Sequence, residues 1–555
     1  MSIAASPADL LPVLAPETGT MRTRDGTRLD ADIYRPDAPG PFPVLLMRQA
    51  YGRRIGGAIC YAHPSWYAAH GYVVVIQDVR GRGTSEGRFT ALENEIEDGA
   101  ETVAWAAGLA GTTGKVGMYG FSYQGIDQLA AAVKAGPELK ALAPAMFPAH
   151  PRRDWTFENG ALRLQGALGW ATQIAADTAR HAGDIEAYTE LYAASRSLPL
   201  YERIQARPAY IERHRAYTHY HKWLETPDEA PYWRGVCPIL HAPHLAENGP
   251  PILFVAGWSD AHLAGTLASY HAIAGKSRLP HRLVVGPWIH FPWQRKVGAL
   301  DFGPEAESPI DALQIRWFDH WLKGTENGVT DEPPVRLFDV GAKLWRNFGA
   351  WPSDATRMFL AGSGKASIDL ADGRLGDAPR PLDASVDYLV HDPWRPAPSP
   401  AAAGPTDRSA IDARPDVLAF TAPPRETPVT LAGTVSAQLF LVSDAPSFDV
   451  CCVLSRVAAS GQAFPISQGY CRVEPGDQTA PLVIPMSATC ATLLPGEALR
   501  LSISAAAFPA YAVNPGTGAD PTATPLATAS IITLGVKHGA TQPSHLVLPT
   551  VDPTP

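Results

Sequence analysis

The stretch from Val116 to Gly136, VGMYGFSYQGIDQLAAAVKAG, constrains the fold of this chain more than any other. It opens with a short apolar run, Val116-Gly117-Met118-Tyr119, of the kind that fills a strand buried on both faces. The turn Gly120-Phe121-Ser122-Tyr123-Gln124-Gly125 follows, and then Ile126 to Ala135, which reads as a helix closed by Gly136-Pro137. Glycine accepts the left-handed cap there and proline cannot continue the helix. Strand, tight turn and helix together are the grammar of an α/β protein. Further apolar runs at Val44–Met47, Val73–Ile76, Ile252–Ala256 and Arg282–Val285, with a helical pattern from Glu95 to Ala107, fit the same parallel sheet.

At 555 residues the chain exceeds what one core usually supports, so several domains are expected. Residues 1–145 read as the first part of the sheet domain. Residues 146–241, rich in Arg, Trp, His and Tyr and without strand alternation, read as a helical cap inserted between strands. Residues 242–350 resume the sheet, and residues 351–555 bring proline-rich connections (Pro393 to Pro405) and short alternating segments such as Thr434–Ser443 and Leu499–Ser504, the texture of an antiparallel β-sandwich. A net charge of −9 with 18% charged residues argues against a nucleic-acid or anionic-membrane partner and for a small, neutral or weakly charged substrate. The six scattered cysteines write no disulfide framework and no C-x-x-C metal site. With no basic, apolar leader at the start and no apolar run long enough to span a bilayer, a cytoplasmic protein is expected.

Three residues fall where strands of this sheet end, the edge at which α/β folds bind ligands. Ser122 lies on the strand-to-helix turn, Asp260 in LFVAGWSDAHLAG and His290 in LVVGPWIHFPW. Serine is a poor nucleophile until an imidazole takes its proton, and the imidazole needs a carboxylate to fix its tautomer. Singly, each has a plainer reading: a turn serine, a helix-capping aspartate, a partly buried histidine. Together, in the order Ser, Asp, His, they form a candidate catalytic triad. Asp78-Val79-Arg80-Gly81-Arg82-Gly83 misses a dinucleotide-binding pattern by one place, and His214, His219 and His221 lack a partner with zinc-ligand spacing, so no cofactor and no metal are assigned. Those histidines read as solvated cap surface.

These motifs are similar to those of the CocE/NonD hydrolases, the cocaine-esterase-like enzymes related to glutaryl-7-aminocephalosporanic acid acylases, α-amino acid ester hydrolases and X-Pro dipeptidyl-peptidases. The resemblance rests on MRQAYGRR, GYVVVIQDVRGRGTSEGRF, GKVGMYGFSYQG, GWSDAH, LVVGPWIH, DFGPEA, WFDHWLKG, RPDVLAF, FPAYAVNPGTG and SHLVLP. It implies an α/β-hydrolase core with an inserted helical cap and a C-terminal jelly-roll β-sandwich. It accepts Gln124 inside the serine motif and leaves the helix-side packing to Gly125. It implies an oxyanion role for the Tyr51 phenol beside the Tyr123 N–H, and it likens Trp155 and Trp170 to aromatic walls of an acyl pocket, although both also suit a cap core. Ala261 and His262 stand where amino-acid ester hydrolases carry an acidic cluster, which argues against that chemistry and makes His262 a candidate substrate contact.

The reading is a serine hydrolase that cleaves carboxylic esters through an acyl-enzyme. Amidase or X-Pro dipeptidyl-peptidase activity is the enzymatic alternative, and a non-catalytic ligand-binding protein is the alternative of another class. The expected partner is a small ester or amide; a homo-oligomer is compatible with the sequence. His262 lies on the loop of Asp260 and is poorly placed to bridge outward from it, whereas His290 arrives from the next strand end, so His290 is the expected base.

Overall fold

The computed structural model describes residues 10–56, 58–379, 385–399, 404–476 and 480–551. The first nine residues and residues 400–403 of the expected proline-rich connection lie outside the described residues. The core is a ten-stranded sheet. Its strands are β1 (Glu17–Arg22), β2 (Arg28–Tyr34), β3 (Phe42–Gln49), β4 (Val73–Asp78), β5 (Thr112–Phe121), β6 (Leu139–Ala145), β7 (Leu253–Gly257), β8 (Arg282–Gly286), β9 (Val335–Asp339) and β10 (Leu344–Phe348). They lie in the order β1-β2-β4-β3-β5-β6-β7-β8-β9-β10. Strands from β4 through β9 run parallel, and antiparallel strands flank them at both ends. The apolar runs read from the sequence are its centre, because a strand covered on both faces has no solvent side to mark with polar residues.

The helix Glu95–Ala107 forms over the expected residues. The helix after Ser122 differs: it spans Tyr123–Ala132 and stops before Gly136. Gly136 does not take the left-handed conformation, so it is a loop glycine and not the cap inferred for it. The reading missed three residues at the start, where Tyr123, Gln124 and Gly125 are already helical. It also missed β9 and β10, which extend the sheet just before the β-rich domain begins.

Between β6 and β7 the chain forms the cap, with long helices at Leu164–His181 and Ile185–Arg196 and several shorter ones. It is not wholly helical: Phe157–Glu158 and Ala161–Leu162 pair as a small hairpin. This hairpin docks on the β-rich domain, where Asn159 Nδ2 donates to the Tyr470 carbonyl at 2.9 Å and the Ala512 N–H donates to the Leu162 carbonyl at 3.0 Å. The core grips the cap from the other side through Arg82. Its guanidinium is fully buried, lies over the Phe89 ring, and donates to Asp177 at 2.8 Å and to Thr178 Oγ1 at 3.1 Å on the first long cap helix.

From Ala355 onward the chain builds the expected β-rich domain, an eleven-stranded arrangement with its own apolar core that includes Leu360, Phe420, Leu439, Leu454, Ile503 and Val536. The strand Val429–Ser443 pairs with three others, and its register shifts at Gly433 let it bend between them. Asp339, at the end of β9, fastens this domain to the core. Its buried carboxylate accepts the N–H groups of Gly341 at 2.9 Å, Ala342 at 2.8 Å and Thr492 at 2.8 Å, and the Arg346 guanidinium at 2.7 Å. Burial works to raise this carboxyl, but the hydrogen bonds outweigh it and hold it below the usual carboxylate range. Replacing Asp339 by alanine strands a partly buried guanidinium and three N–H groups. It is expected to cost about 3–5 kcal/mol, read as a lower Tm in thermal unfolding; an unchanged Tm would contradict the role.

Candidate active site

The turn after β5 sets the site. Ser122 sits at φ 62° and ψ −124°, a conformation that L-residues rarely hold. The turn is locked from three sides. The Ser122 N–H donates to the Ala145 carbonyl of β6 at 2.9 Å. Gly125 lets the helix close on β6, since a Cβ there would meet the Ala145 carbonyl oxygen at 2.8 Å and the Phe147 Cβ at 3.0 Å. Gln124, the residue that breaks G-x-S-x-G, ties the turn together: its Oε1 accepts the Phe121 N–H at 3.2 Å, and its Nε2 donates to Gln49 Oε1 at 3.0 Å. As the first residue of its helix, Tyr123 has an N–H without a partner inside the helix.

Asp260 follows β7 and His290 follows β8, and the structure brings both to Ser122. His290 Nε2 lies 3.0 Å from Ser122 Oγ, and His290 Nδ1 lies 2.8 Å from Asp260 Oδ1. The Asp260 side chain is fully buried, whereas that of His290 keeps 25% exposure, so the carboxylate is shielded and the imidazole is open to a substrate. Burial alone would raise the Asp260 carboxyl; the charge and hydrogen bond of His290 outweigh it and hold the group below its ordinary range. The Tyr51 phenol accepts the Trp170 indole N–H at 3.2 Å and reaches Ser122. Burial raises this phenol above its usual value against the pull of both hydrogen bonds, so it stays a donor at neutral pH.

Trp155 and Trp170 stand with ring centroids 4.3 Å apart, and both also touch Trp223. They pack as cap core, and Trp170 also bonds Tyr51 while Trp155 packs on His262 at 5.4 Å. His262 caps the helix Leu263–Ala274 and packs against His290 at 5.2 Å, ring to ring. The serine is bonded to His290 and not to His262.

The surface reading of the cap histidines holds for His214 only in part and fails for His219 and His221. His214 Nε2 bonds Glu190 at 2.7 Å and His221 Nε2 bonds Glu212 at 2.9 Å, each engaging a separate carboxylate. His221 is buried, and His219 lies between Trp170 at 4.6 Å and Trp223 at 4.2 Å, so neither belongs to a solvated surface. His219, read from the sequence as solvated cap surface, is a neighbour of the site; its separation from Trp170 by many residues gave no local signal of this. The glycine-rich segment after β4 is scaffold: Asp78 accepts the Arg53 N–H and guanidinium, Arg80 pairs with Asp98 and Asp25, and Arg82 pairs with Asp177. All six cysteines are free thiols, and all but Cys60 are buried.

Arg163, which follows the cap hairpin, holds the loop between Asp260 and His262. Its guanidinium donates to the Ala261 carbonyl at 2.9 Å and to the Asp154 carbonyl at 2.7 Å. The hairpin's Glu158 accepts the Tyr511 hydroxyl of the β-rich domain at 2.6 Å. The β-rich domain therefore reaches the loop of the acid through two residues of the cap.

Burial pushes the His262 imidazole down to about 3, with the Asp260 charge opposing and those of His290 and Arg163 reinforcing. Against an ordinary value of 6.5, the unfolded chain takes up a proton that the folded chain refuses, so this residue's contribution to stability declines as pH falls below 6.5. The His262 ring is expected to give constant NMR shifts between about pH 5 and 8. A titration centred in that window would show that the site is wetter than this packing implies.

Comparison with known proteins agrees with this architecture. Residues 25–292 match the model of the X-Pro dipeptidyl-peptidase (S15) family, and residues 327–547 match that of the X-Pro dipeptidyl-peptidase C-terminal non-catalytic domain. The chain is 32% identical to a cocaine esterase from Rhodococcus sp. (strain MB1 Bresler), over 95% of this chain and 97% of that one. Its backbone matches the crystal structure of an aminopeptidase from a marine sediment Thaumarchaeota archaeon with a TM-score of 0.82 at 21% identity, over 100% of this chain and 98% of that one. It also matches a CocE/NonD family hydrolase from Staphylococcus aureus with a TM-score of 0.68 at 18% identity, over 96% and 93% of the two chains. With both domain models in register and a relative of this identity along nearly its whole length, the chain belongs to the CocE/NonD family of serine hydrolases.

Proposed function

We propose that the protein hydrolyses carboxylic esters of small molecules through an acyl-enzyme on Ser122. The observation that carries this reading is the continuous hydrogen-bonded line from Ser122 Oγ through His290 to Asp260 Oδ1, with links of 3.0 and 2.8 Å. In this mechanism His290 Nε2 takes the serine proton as Oγ attacks the ester carbonyl, and Asp260 steadies the imidazolium. The Tyr51 hydroxyl and the Tyr123 N–H donate to the oxyanion of the tetrahedral intermediate. His290 then passes its proton to the leaving alcohol, and water, deprotonated by the same imidazole, resolves the acyl-enzyme. Trp155, Trp170 and His262 would line the acyl side, where aromatic surfaces favour a flat or bulky apolar group.

The proposed units are residues 1–145 and 242–350 as catalytic core, 146–241 as cap and 351–555 as the jelly-roll domain. Six unpaired thiols favour a reducing, cytoplasmic setting, and among the described residues no helix is long and apolar enough to cross a membrane. Peptidase activity at a free N-terminus would call for an acidic group beside the acyl site. Ala261 and His262 follow Asp260 there, which favours esters.

Turnover is measured on a panel of aryl, alkyl, amino-acyl and amide substrates. Ser122→Ala is expected to abolish ester hydrolysis with an unchanged fold, and a serine-directed phosphonate to add once per chain, at Ser122; label elsewhere would end the assignment. His290→Ala is expected to lower kcat by roughly 10³-fold or more, while His262→Ala mainly alters KM or substrate preference. The reverse pattern would make His262 the base. Tyr51→Phe removes one oxyanion donor and is expected to lower kcat by about 10²–10³-fold, with little change in KM.

A further inference from the structure

The leaving alcohol must lie beside His290, because its oxygen receives the proton from Nε2. The carbon skeleton attached to that oxygen therefore covers whatever surface adjoins the imidazole on the open side. Two aromatic groups meet the His290 ring. One is His262, only 8% exposed and backed by Trp155. The other is formed by Phe121 at 5.4 Å and Phe291 at 5.7 Å. Phe121 is a core residue, 4% exposed, whereas Phe291 is 54% exposed although its chain neighbour Trp293 is 4% exposed. An exposed phenylalanine is unremarkable by itself. This one is held edge-on against Phe121, at 6.4 Å between centroids, in the segment that carries the proton donor. Cys60 Sγ lies 4.0 Å from the His290 carbonyl oxygen, and its chain neighbour Ile59 is 44% exposed.

We infer that Phe291 is the specificity-determining contact for the alcohol part of the ester, and that this surface selects apolar, aryl-sized leaving groups. The inference rests on the ester-hydrolase reading above and adds to it the half of the substrate that the tryptophans do not touch. Phe291 gives up little by being half in water while the site is free, since its ring already rests on Phe121. A flat apolar alcohol that covers the exposed face removes two apolar surfaces from water at once. A methyl or ethyl alcohol is too short to reach across it. The contact is made before and during acylation only. Once the alcohol has left, the acyl-enzyme has nothing on Phe291, and its hydrolysis proceeds without that side chain.

That separation supplies the test. Methyl and 2-naphthyl esters of one acid are compared on wild type, Phe291→Ala and Phe291→Tyr, with kcat/KM reporting acylation and the slow phase after a stopped-flow burst reporting hydrolysis of the common acyl-enzyme. Phe291→Ala is expected to lower the naphthyl-to-methyl ratio of kcat/KM by about tenfold while leaving the hydrolysis phase unchanged; Phe291→Tyr keeps the ratio. Equal losses for both esters, or a slowed acyl-enzyme phase, would show that the side chain only supports His290 and would overturn the inference. So would an unchanged ratio. Wild type that turns over neither ester would remove the proposed function itself, a failure distinct from these.

Discussion

Everything in this molecule that bears on chemistry depends on the backbone at Ser122 being held at positive φ. A serine does not adopt that conformation without compensation, and here the compensation is packing. The hydrogen bond to Ala145, the close approach that Gly125 permits and the Gln124 side chain bonded back to Phe121 leave the turn one way to fold. The result puts Oγ at the sheet edge and directs the start of a helix, with its unpaired N–H groups, at the same spot. Any substitution that loosens the contact of this helix with β6 acts on the nucleophile and on the oxyanion donor together.

The parts that meet this turn come from all regions of the chain. Asp260 and His290 arrive from successive strand ends of the same sheet, Trp155 and Trp170 from the cap, and Arg163 fixes the loop of the acid from the base of the cap hairpin. That hairpin is in turn bonded to the β-rich domain through Glu158, Asn159 and Leu162. The C-terminal domain thus contributes no residue to the line from Ser122 to Asp260, yet it holds the element that holds the acid loop. Asp339 makes a second junction at the end of β9, where five donors converge on one carboxylate. A domain fastened at two such places acts as part of the scaffold.

Electrostatically the site is divided by burial. Asp260 is buried yet held below its ordinary range by its contact with His290, while His262 and His219 are pushed down to about 3 and stay neutral. A neutral ring can sit against His290 without competing for the proton that His290 must carry. The same desolvation keeps the Tyr51 phenol protonated, which an oxyanion donor has to be.

What the sequence determined by itself was whatever local physics writes into a short window. Doubly buried strands appear as unbroken apolar runs, so β3, β4, β5, β7 and β8 were legible, and the helix Glu95–Ala107 was legible in full from its period. The serine, acid and histidine were legible because each follows a strand, and strand ends of a parallel sheet share one edge. Local signals failed where a neighbour in space decides. Gly136-Pro137 read as a helix cap, yet the helix had already ended at Ala132. His219 and His221 read as surface, yet Trp170, from the first long cap helix, packs on His219 beside Trp223, and His221 is buried against Glu212. The roles of Arg163 and Phe291 were likewise invisible, because one depends on where the Ala261 carbonyl points and the other on which rings leave its face bare. Tertiary structure alone decides such matters, since burial and hydrogen-bond partners are properties of what folds against a residue and not of the residue's own neighbours along the chain.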